Sequence, residues 1–144
     1  TFPGLGYFAC VTNLGVEAGD QGSASLWWSN FPNNQQWLIT GLNNPRGLAY
    51  DYGVNWYVAN SSGNTISEVQ IQIQGNTIVP AITTTYNTYD GPQNCALDPL
   101  NLLYMFPSCQ AAGLVDCINV TQPNEFNLPV LVPGVKMVAS LASQ

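Results

Sequence analysis

The sequence predicts an all-β fold, and three observations lead to that prediction. Ten prolines and 13 glycines interrupt the 144 residues, and no stretch keeps apolar residues at helical spacing for three turns. Short runs of β-branched and aromatic residues alternate with turns of Gly, Asn, Pro and Asp, which is typical of many short strands. Apolar residues make up 46% of the chain, which is enough for a buried core, and the length indicates one domain spanning residues 1–144.

The predicted strands recur in a fixed order along the chain. The run Pro45–Asp51 (PRGLAYD) recurs as Pro92–Asp98 (PQNCALD), 47 residues further on. The run that follows it, Trp56–Ala59, matches Leu103–Phe106 at the same offset, and Gly6–Ala9 is an earlier copy lying 50 residues upstream. An internal period of this length indicates a repeat architecture.

Two further runs complete each repeat. The third runs are Ser23–Trp28, Thr65–Ile71 and Gly113–Ile118, and the fourth runs are Gln36–Ile39, Thr77–Ile82 and Pro129–Val132. A unit of four strands in roughly 40–50 residues is the sequence mark of a β-propeller blade. The sequence therefore predicts about three β-propeller-like blade repeats, at approximately 6–43, 44–90 and 91–135.

The repeat unit resembles the NHL-like family of six-bladed β-propeller repeats. In that family a strand of the form P-x-G-hydrophobic-A-x-D is followed, after a turn, by N-x-Y-V-A-(D/N). Asn44–Asp51 and Asn55–Asn60 fit this pattern, whereas the second copy departs from it at Cys95 and at Met105–Phe106. The resemblance implies a propeller fold and brings no catalytic residues with it.

The phase of the repeats leaves one strand missing at the start and one extra at the end. If the strands are labelled a to d from the innermost outward, the first repeat lacks strand a, and 136–142 follows the last repeat where a further strand a belongs. Three blades do not close a ring, because four is the practical minimum. An unpaired sheet edge invites strand addition from another chain. We therefore expect the C-terminal strand to be exchanged between subunits.

This expectation assigns self-assembly residues to both ends of the chain. Tyr7, Phe8 and Ala9 would lie on the accepting edge, and Met137, Val138, Ala139 and Leu141 on the donated strand. The two surfaces differ, so the contact is heterologous and builds a ring or a filament. The leading prediction is an extracellular structural protein that assembles head to tail with copies of itself.

Composition excludes several other classes of function. Two cations, Arg46 and Lys136, face eight acidic residues, and a net charge of −6 argues against nucleic-acid binding. The chain has no His, which removes the commonest general base and metal ligand. The apolar tail Leu128–Ala142 contains two prolines and a lysine and is too short to span a bilayer. We expect no enzyme activity, no cofactor, no metal site and no membrane insertion.

Cysteines and glycosylation sequons favour an extracellular compartment. The four cysteines, Cys10, Cys95, Cys109 and Cys117, form no CxxC motif, so two disulfides are predicted in preference to a zinc site. Cys109 and Cys117 could close a hairpin and leave Cys10 to pair with Cys95, although all three connectivities remain open. Asn60 and Asn119 lie in sequons, so the chain is predicted to be a secreted glycoprotein with covalent glycans.

The remaining candidates concern aromatic and acidic side chains. Asp51 and Asp98 occupy equivalent repeat positions and are predicted to form turns rather than to act as catalysts. The alternative function is a carbohydrate- or ligand-binding propeller module, either a closed dimer or a fragment of a longer propeller. In that case aromatic residues such as Trp28 and Trp56 would stack on sugar rings.

Overall fold

The computed structural model describes residues 8–13, 22–28, 36–74, 77–88, 91–98, 100, 104–109, 114–115, 117–121 and 130–131. Over these residues the chain forms twelve β-strands and no helix, so the all-β prediction is confirmed. All strand pairs are antiparallel and fall into three sheets that follow one another along the chain.

Each sheet is built from strands that are consecutive in sequence. Sheet 1 contains β1 (Phe8–Asn13), β2 (Ser23–Trp28) and β3 (Gln36–Ile39). Sheet 2 contains β4 (Pro45–Tyr50), β5 (Asn55–Asn60), β6 (Thr65–Gln74) and β7 (Thr77–Asn87). Sheet 3 contains β8 (Pro92–Leu97), β9 (Tyr104–Cys109), β10 (Leu114–Val115), β11 (Ile118–Asn119) and β12 (Val130–Leu131).

In sheet 3, β10 and β11 are two halves of one strand. Both pair with β9, and the register is continuous across the gap, from Val115 opposite Ser108 to Ile118 opposite Met105. The other edge of β9 pairs with β8, and β10 pairs with β12. Sheet 3 is therefore four strands wide, as sheet 2 is.

The hairpins β4–β5 and β8–β9 share two backbone details. Each has a register shift just after its first proline, between Pro45 and Leu48 or between Pro92 and Asn94. Just before those prolines, Asn44 and Gly91 take left-handed backbone conformations with φ of 55° and 54°. The 47-residue offset thus relates β4 to β8 in conformation as well as in sequence.

The same offset does not hold for the second strand of these hairpins. Tyr50 pairs with Trp56, whereas its counterpart Leu97 pairs with Met105, so β9 follows β5 at an offset of 49. The predicted match of Trp56–Ala59 with Leu103–Phe106 is wrong by two residues. The physical reason is the connection, because the loop after Leu97 is two residues longer than the loop after Tyr50.

Two apolar cores lie between successive sheets. Sheet 1 packs on sheet 2 through Ala24, Leu26, Ile39, Leu42, Val58, Val69 and Ile71. Sheet 2 packs on sheet 3 through Tyr57, Ala59, Ile66, Tyr86, Cys95, Leu97, Met105 and Ile118. Alternate residues of a strand point to opposite faces, so β5 contributes to both cores, with Val58 facing sheet 1 and Tyr57 and Ala59 facing sheet 3.

The first strands of sheets 2 and 3 approach each other very closely. A Cβ atom added to Gly47 in β4 would overlap both the main chain and the side chain of Asn94 in β8. Gly47 and Asn94 are equivalent positions, 47 residues apart in the sequence. Strand β1 reaches the same region, since the Thr12 hydroxyl donates to the carbonyl oxygen of Arg46 at 2.7 Å. The glycine is therefore a packing requirement of this convergence.

Candidate functional site

The edge of β1 that faces away from β2 is the candidate assembly site. Within the described part of the chain β1 pairs with β2 alone, from Phe8 opposite Trp28 to Asn13 opposite Ser23. The corresponding strands β5 and β9 each have a neighbour on both sides. A strand paired along one edge presents N–H and C=O groups that another strand can satisfy.

Side chains of β1 alternate between the core and the surface. Cys10 packs against the core between sheets 1 and 2, whereas Ala9 and Val11 are exposed. The exposed fraction of Val11 is 47%, while Val58 in the corresponding strand of sheet 2 is fully buried. One face of β1 thus packs against the core, and apolar side chains on its other face are exposed to solvent.

A second exposed apolar residue lies on the same face of sheet 1, on its far strand. Val11 lies opposite Ser25, and Ser25 lies opposite Leu38, so the three residues form one cross-strand row on the outer face. Leu38 has an exposed fraction of 59%. Ser25 is buried between them and accepts a hydrogen bond from the Asn13 amide at 3.1 Å. The equivalent face of sheet 2 is buried, because it packs against sheet 1.

The structure places only part of the predicted self-assembly set. Phe8 and Ala9 are the first two residues of β1. Tyr7, Met137, Val138, Ala139 and Leu141 lie outside the described residues, as does the whole predicted exchanged strand 136–142.

The sequence alignment of Gly6–Ala9 with β5 is wrong in phase. That alignment makes Ala9 equivalent to Ala59. However, Ala9 is exposed, whereas Ala59 is fully buried toward sheet 3. The residue of β1 that faces the next sheet is Cys10. Since side chains alternate along a strand, a correspondence between β1 and β5 would need an odd offset, and β1 itself extends from Phe8 to Asn13.

The disulfide predictions are contradicted by the structure. Cys10 and Cys95 are free thiols in different cores, so the Cys10–Cys95 bond, one of the pairings left open, is not formed. Cys95 donates instead to the carbonyl oxygen of Tyr57 at 3.5 Å. The β9–β11 register places Cys117 opposite Phe106, three residues from Cys109. That separates their Cα atoms by roughly 10 Å along the ladder, beyond the span of about 7 Å that a disulfide reaches.

Burial also raises the pKa of the two free thiols. Removal from water raises the pKa of Cys10 to about 11, an effect only partly opposed by a hydrogen bond to the backbone of Val11. The same cause raises the pKa of Cys95 to about 12. Both groups therefore remain protonated at neutral pH and behave as small core residues.

The two predicted glycosylation sites have different environments. Asn60 is 2% exposed, and its amide nitrogen donates to Thr65 at 3.1 Å and to Ser67 at 2.8 Å. Its amide oxygen accepts from the backbone N–H of Asn43. A glycan on Asn60 would break this buried network, so the structure disfavours glycosylation at this position. Asn119 is partly exposed, and its amide oxygen accepts from the hydroxyl and the backbone N–H of Thr121.

The aspartates are turn formers, as predicted. Asp51 accepts from the backbone N–H groups of Gly53 and Asn55 and from the Asn55 amide. Asp98 accepts from the backbone N–H of Leu100 at 3.0 Å. Among the described residues no group of three His, Cys, Asp or Glu side chains converges as a metal site. In that same part of the chain, no helix is long and apolar enough to cross a bilayer.

An aromatic group at the β4–β5 turn was missed by sequence reasoning, apart from Trp56. The rings of Tyr50 and Trp56 stack with centroids 4.4 Å apart, and Tyr52 lies 5.5 Å from Tyr50 at a tilt of 51°. The signal available in the sequence was an aromatic residue directly before the glycine of an Asp-x-Gly turn. The side chain of Trp28, the other residue predicted for sugar stacking, lies outside the described set.

Comparisons with known proteins do not assign the chain to a family. No protein-family model matches the sequence, and no curated protein matches it significantly.

Proposed function

We propose that this chain is an extracellular structural protein that assembles head to tail, each copy donating its C-terminal segment 136–142 to the edge of β1 in the next copy. The observation that carries this proposal is the pairing of β1 along one edge within the described residues. The donated strand would take, beside β1, the position that β4 takes beside β5 and β8 beside β9.

The finer fold proposed here is a set of three β-propeller-like blades with NHL-like repeats. The shared hairpin features of β4–β5 and β8–β9 support this, because a left-handed residue precedes each first strand and a register shift follows near the start of that strand. So does the order of packing, in which each sheet lies against the next through one face. Sheet 1 would then be a blade that lacks its innermost strand.

Exposed residues on the outer face of sheet 1 also support the assembly. Exposed Val11 and Leu38 provide apolar surface that a docked neighbour would cover, as sheet 1 covers Val58 and Val69 of sheet 2. Apolar groups on an otherwise weakly charged exterior favour association with a second copy over repulsion between copies. A strand of about seven residues paired along an edge would add main-chain hydrogen bonds to this contact.

The proposed location is extracellular, and no catalytic role is proposed. The sequon at Asn119 lies on partly exposed surface, where a glycan can be accommodated. Charged residues make up only 7% of the chain, and a glycan would improve the solubility of such a surface. The absence of His from the sequence disfavours the acid–base chemistry that many hydrolases use.

Truncation and complementation test the proposal together. The chain lacking residues 136–144 should be monomeric by light scattering, while the full chain forms rings or filaments visible in negative-stain micrographs. A fluorescently labelled peptide of residues 134–144 should bind the truncated chain, whereas a scrambled peptide of the same composition should not.

A second variant probes the accepting side. Val11→Lys adds a charge beside the β1 edge at an exposed position, so the monomer should keep its stability and lose assembly. Thr83→Lys on β7 is the matched control, because it adds the same charge to an exposed strand position in another sheet. Assembly of the truncated chain at the wild-type level, or a full chain that remains monomeric at high concentration, would refute strand donation.

A further inference from the structure

The turn between β4 and β5 holds a bulky side chain in an unfavourable backbone conformation. Tyr52 has a φ of 59°, in the left-handed region that suits Gly, Asn and Asp and disfavours a large side chain. The next residue, Gly53, does not take that conformation. The Tyr52 side chain is 79% exposed, so no core packing accounts for its presence. Strained residues of this kind cluster at ligand-binding positions.

Tyr52 stands beside a rigid pair of aromatic rings. Tyr50 and Trp56 stack with an interplanar angle of 16°, and the Tyr50 hydroxyl donates to the carbonyl oxygen of Gly53 at 2.9 Å. Burial and the Asp51 carboxylate raise the pKa of Tyr50, which keeps this hydroxyl protonated as a donor. The ring of Tyr52 lies beside that of Tyr50, with the two centroids 5.5 Å apart.

A fixed hydrogen-bond acceptor lies next to the rings. The Asp51 oxygen Oδ1 accepts from two backbone N–H groups, at 2.7 and 3.1 Å. Its other oxygen, Oδ2, accepts from the Asn55 amide at 2.8 Å. A carboxylate oxygen has room for about two hydrogen bonds, so Oδ2 can accept another from a ligand hydroxyl.

We propose that Tyr50, Tyr52 and Trp56, with Asp51, form a binding site for a neutral saccharide. A pyranose ring has one face of C–H groups, which stacks on an aromatic ring, and a rim of hydroxyl groups, which donate to a carboxylate. Exposed Tyr52 provides the stacking face, and Asp51 provides the acceptor. This site lies in sheet 2 and does not depend on the proposed strand donation.

The charge of the protein selects among ligands that stack on aromatic rings. A nucleotide or an acidic sugar carries anionic groups, and the chain has a net charge of −6 with only two cations. Within the aromatic group the only charged side chain is the anionic Asp51. Uncharged hydroxyl-rich ligands avoid this repulsion, which favours a neutral sugar over the anionic alternatives.

Calorimetric titration of the full chain tests the site. The probes are four neutral oligosaccharides: cellopentaose, mannopentaose, maltopentaose and chitopentaose. We expect at least one to bind with a dissociation constant in the micromolar to millimolar range. Tyr52→Asn should weaken that binding at least tenfold while the melting temperature stays equal or rises, because Asn accepts the left-handed conformation. Tyr52→Phe keeps the ring and should retain binding.

The matched control is Leu100→Asn, which removes the 92% exposed side chain at the corresponding turn of sheet 3. It should bind as the wild type does. Failure of all four sugars to bind would overturn the proposal, and so would unchanged binding by Tyr52→Asn. A decaproline peptide that binds at Tyr52 while the sugars do not would also overturn it, in favour of peptide recognition. Assembly is measured separately by light scattering, so loss of either function is distinguishable.

Discussion

Among the described residues sheet 1 has one strand fewer than sheet 2, and the two sheets also differ in how their equivalent faces are covered. β1 holds the same place beside β2 that β5 holds beside β6. Val58 on β5 is fully buried, whereas Val11 on β1 is 47% exposed. Val58 is buried because sheet 1 covers it, whereas no sheet among the described residues covers Val11, so we propose that a second copy docks on this face.

Among the substitutions considered, we expect Gly47→Val to lower the stability of the protein most, because it acts where sheets 2 and 3 meet. A side chain there collides with Asn94 across the β4–β8 contact, and rigid main chain provides little room for relief. We expect a loss of about 3 kcal/mol or more in the free energy of unfolding, measured by urea denaturation. Arg46→Ala is the control, since it removes an exposed side chain with one 3.3 Å bond to Ser61. Equal midpoints for the two variants would contradict the close approach.

The valine comparison can be tested directly. Val58→Ala should lower the free energy of unfolding by about 2 to 3 kcal/mol, because it leaves a cavity between sheets 1 and 2. Val11→Ala should change it by less than about 0.5 kcal/mol in the monomer. Urea denaturation of the truncated chain measures both values without interference from assembly. Similar losses at the two positions would show that the outer face of sheet 1 is covered within one molecule.

The sequons make a second matched pair. Asn60→Ala should cost about 2 kcal/mol, because it leaves Ser67, Thr65 and the Asn43 N–H without their partner in a buried site. Asn119→Ala removes contacts at an exposed turn and should cost less than about 1 kcal/mol. In a host that glycosylates secreted chains, intact-mass measurement should show sugar at Asn119 alone. A glycan on Asn60 in folded protein would rule out the buried network.

The smallest expected effect is a loss of stability at alkaline pH. The thiol pKa is raised from 9.0 to about 11 at Cys10 and to about 12 at Cys95, so folding favours the protonated form. This stabilisation is complete below pH 9 and is lost as the pH rises toward 12. We expect about 1 to 2 kcal/mol less stability at pH 9.5 than at pH 7, measured by urea denaturation. Cys95→Ala should reduce that difference, and an unchanged difference would contradict its burial.

Several features of the fold could be predicted because they depend on local residue patterns. Strands β2 and β3 begin and end at the residues that alternation and turn signals indicate. The turn-forming role of Asp51 follows from its short side chain, which reaches N–H groups two and four residues on. Such contacts involve near neighbours in sequence, so a single sequence contains the information needed.

Other features could not be predicted because they depend on loop geometry and distant contacts. The loop before β9 is two residues longer than the loop before β5, so β9 pairs with β8 two residues later than the sequence match predicts. The exposure of Ala9 depends on which face of β1 meets sheet 2. The aromatic group at Tyr52 was missed because a left-handed conformation at a tyrosine is unfavourable locally and is set by the surrounding turn.

The sequence alone determined that the chain is all-β, that its strands come in repeated groups, and that aspartates close the turns. These depend on periodicity and side-chain chemistry over a few residues. Three other features follow from tertiary contacts: the burial of Asn60, the separation of Cys10 and Cys95 into different cores, and the pairing of β1 along one edge among the described residues. The reason is that the burial of a side chain and the pairing of a strand depend on which sheets contact each other. A sequence pattern does not show which faces meet.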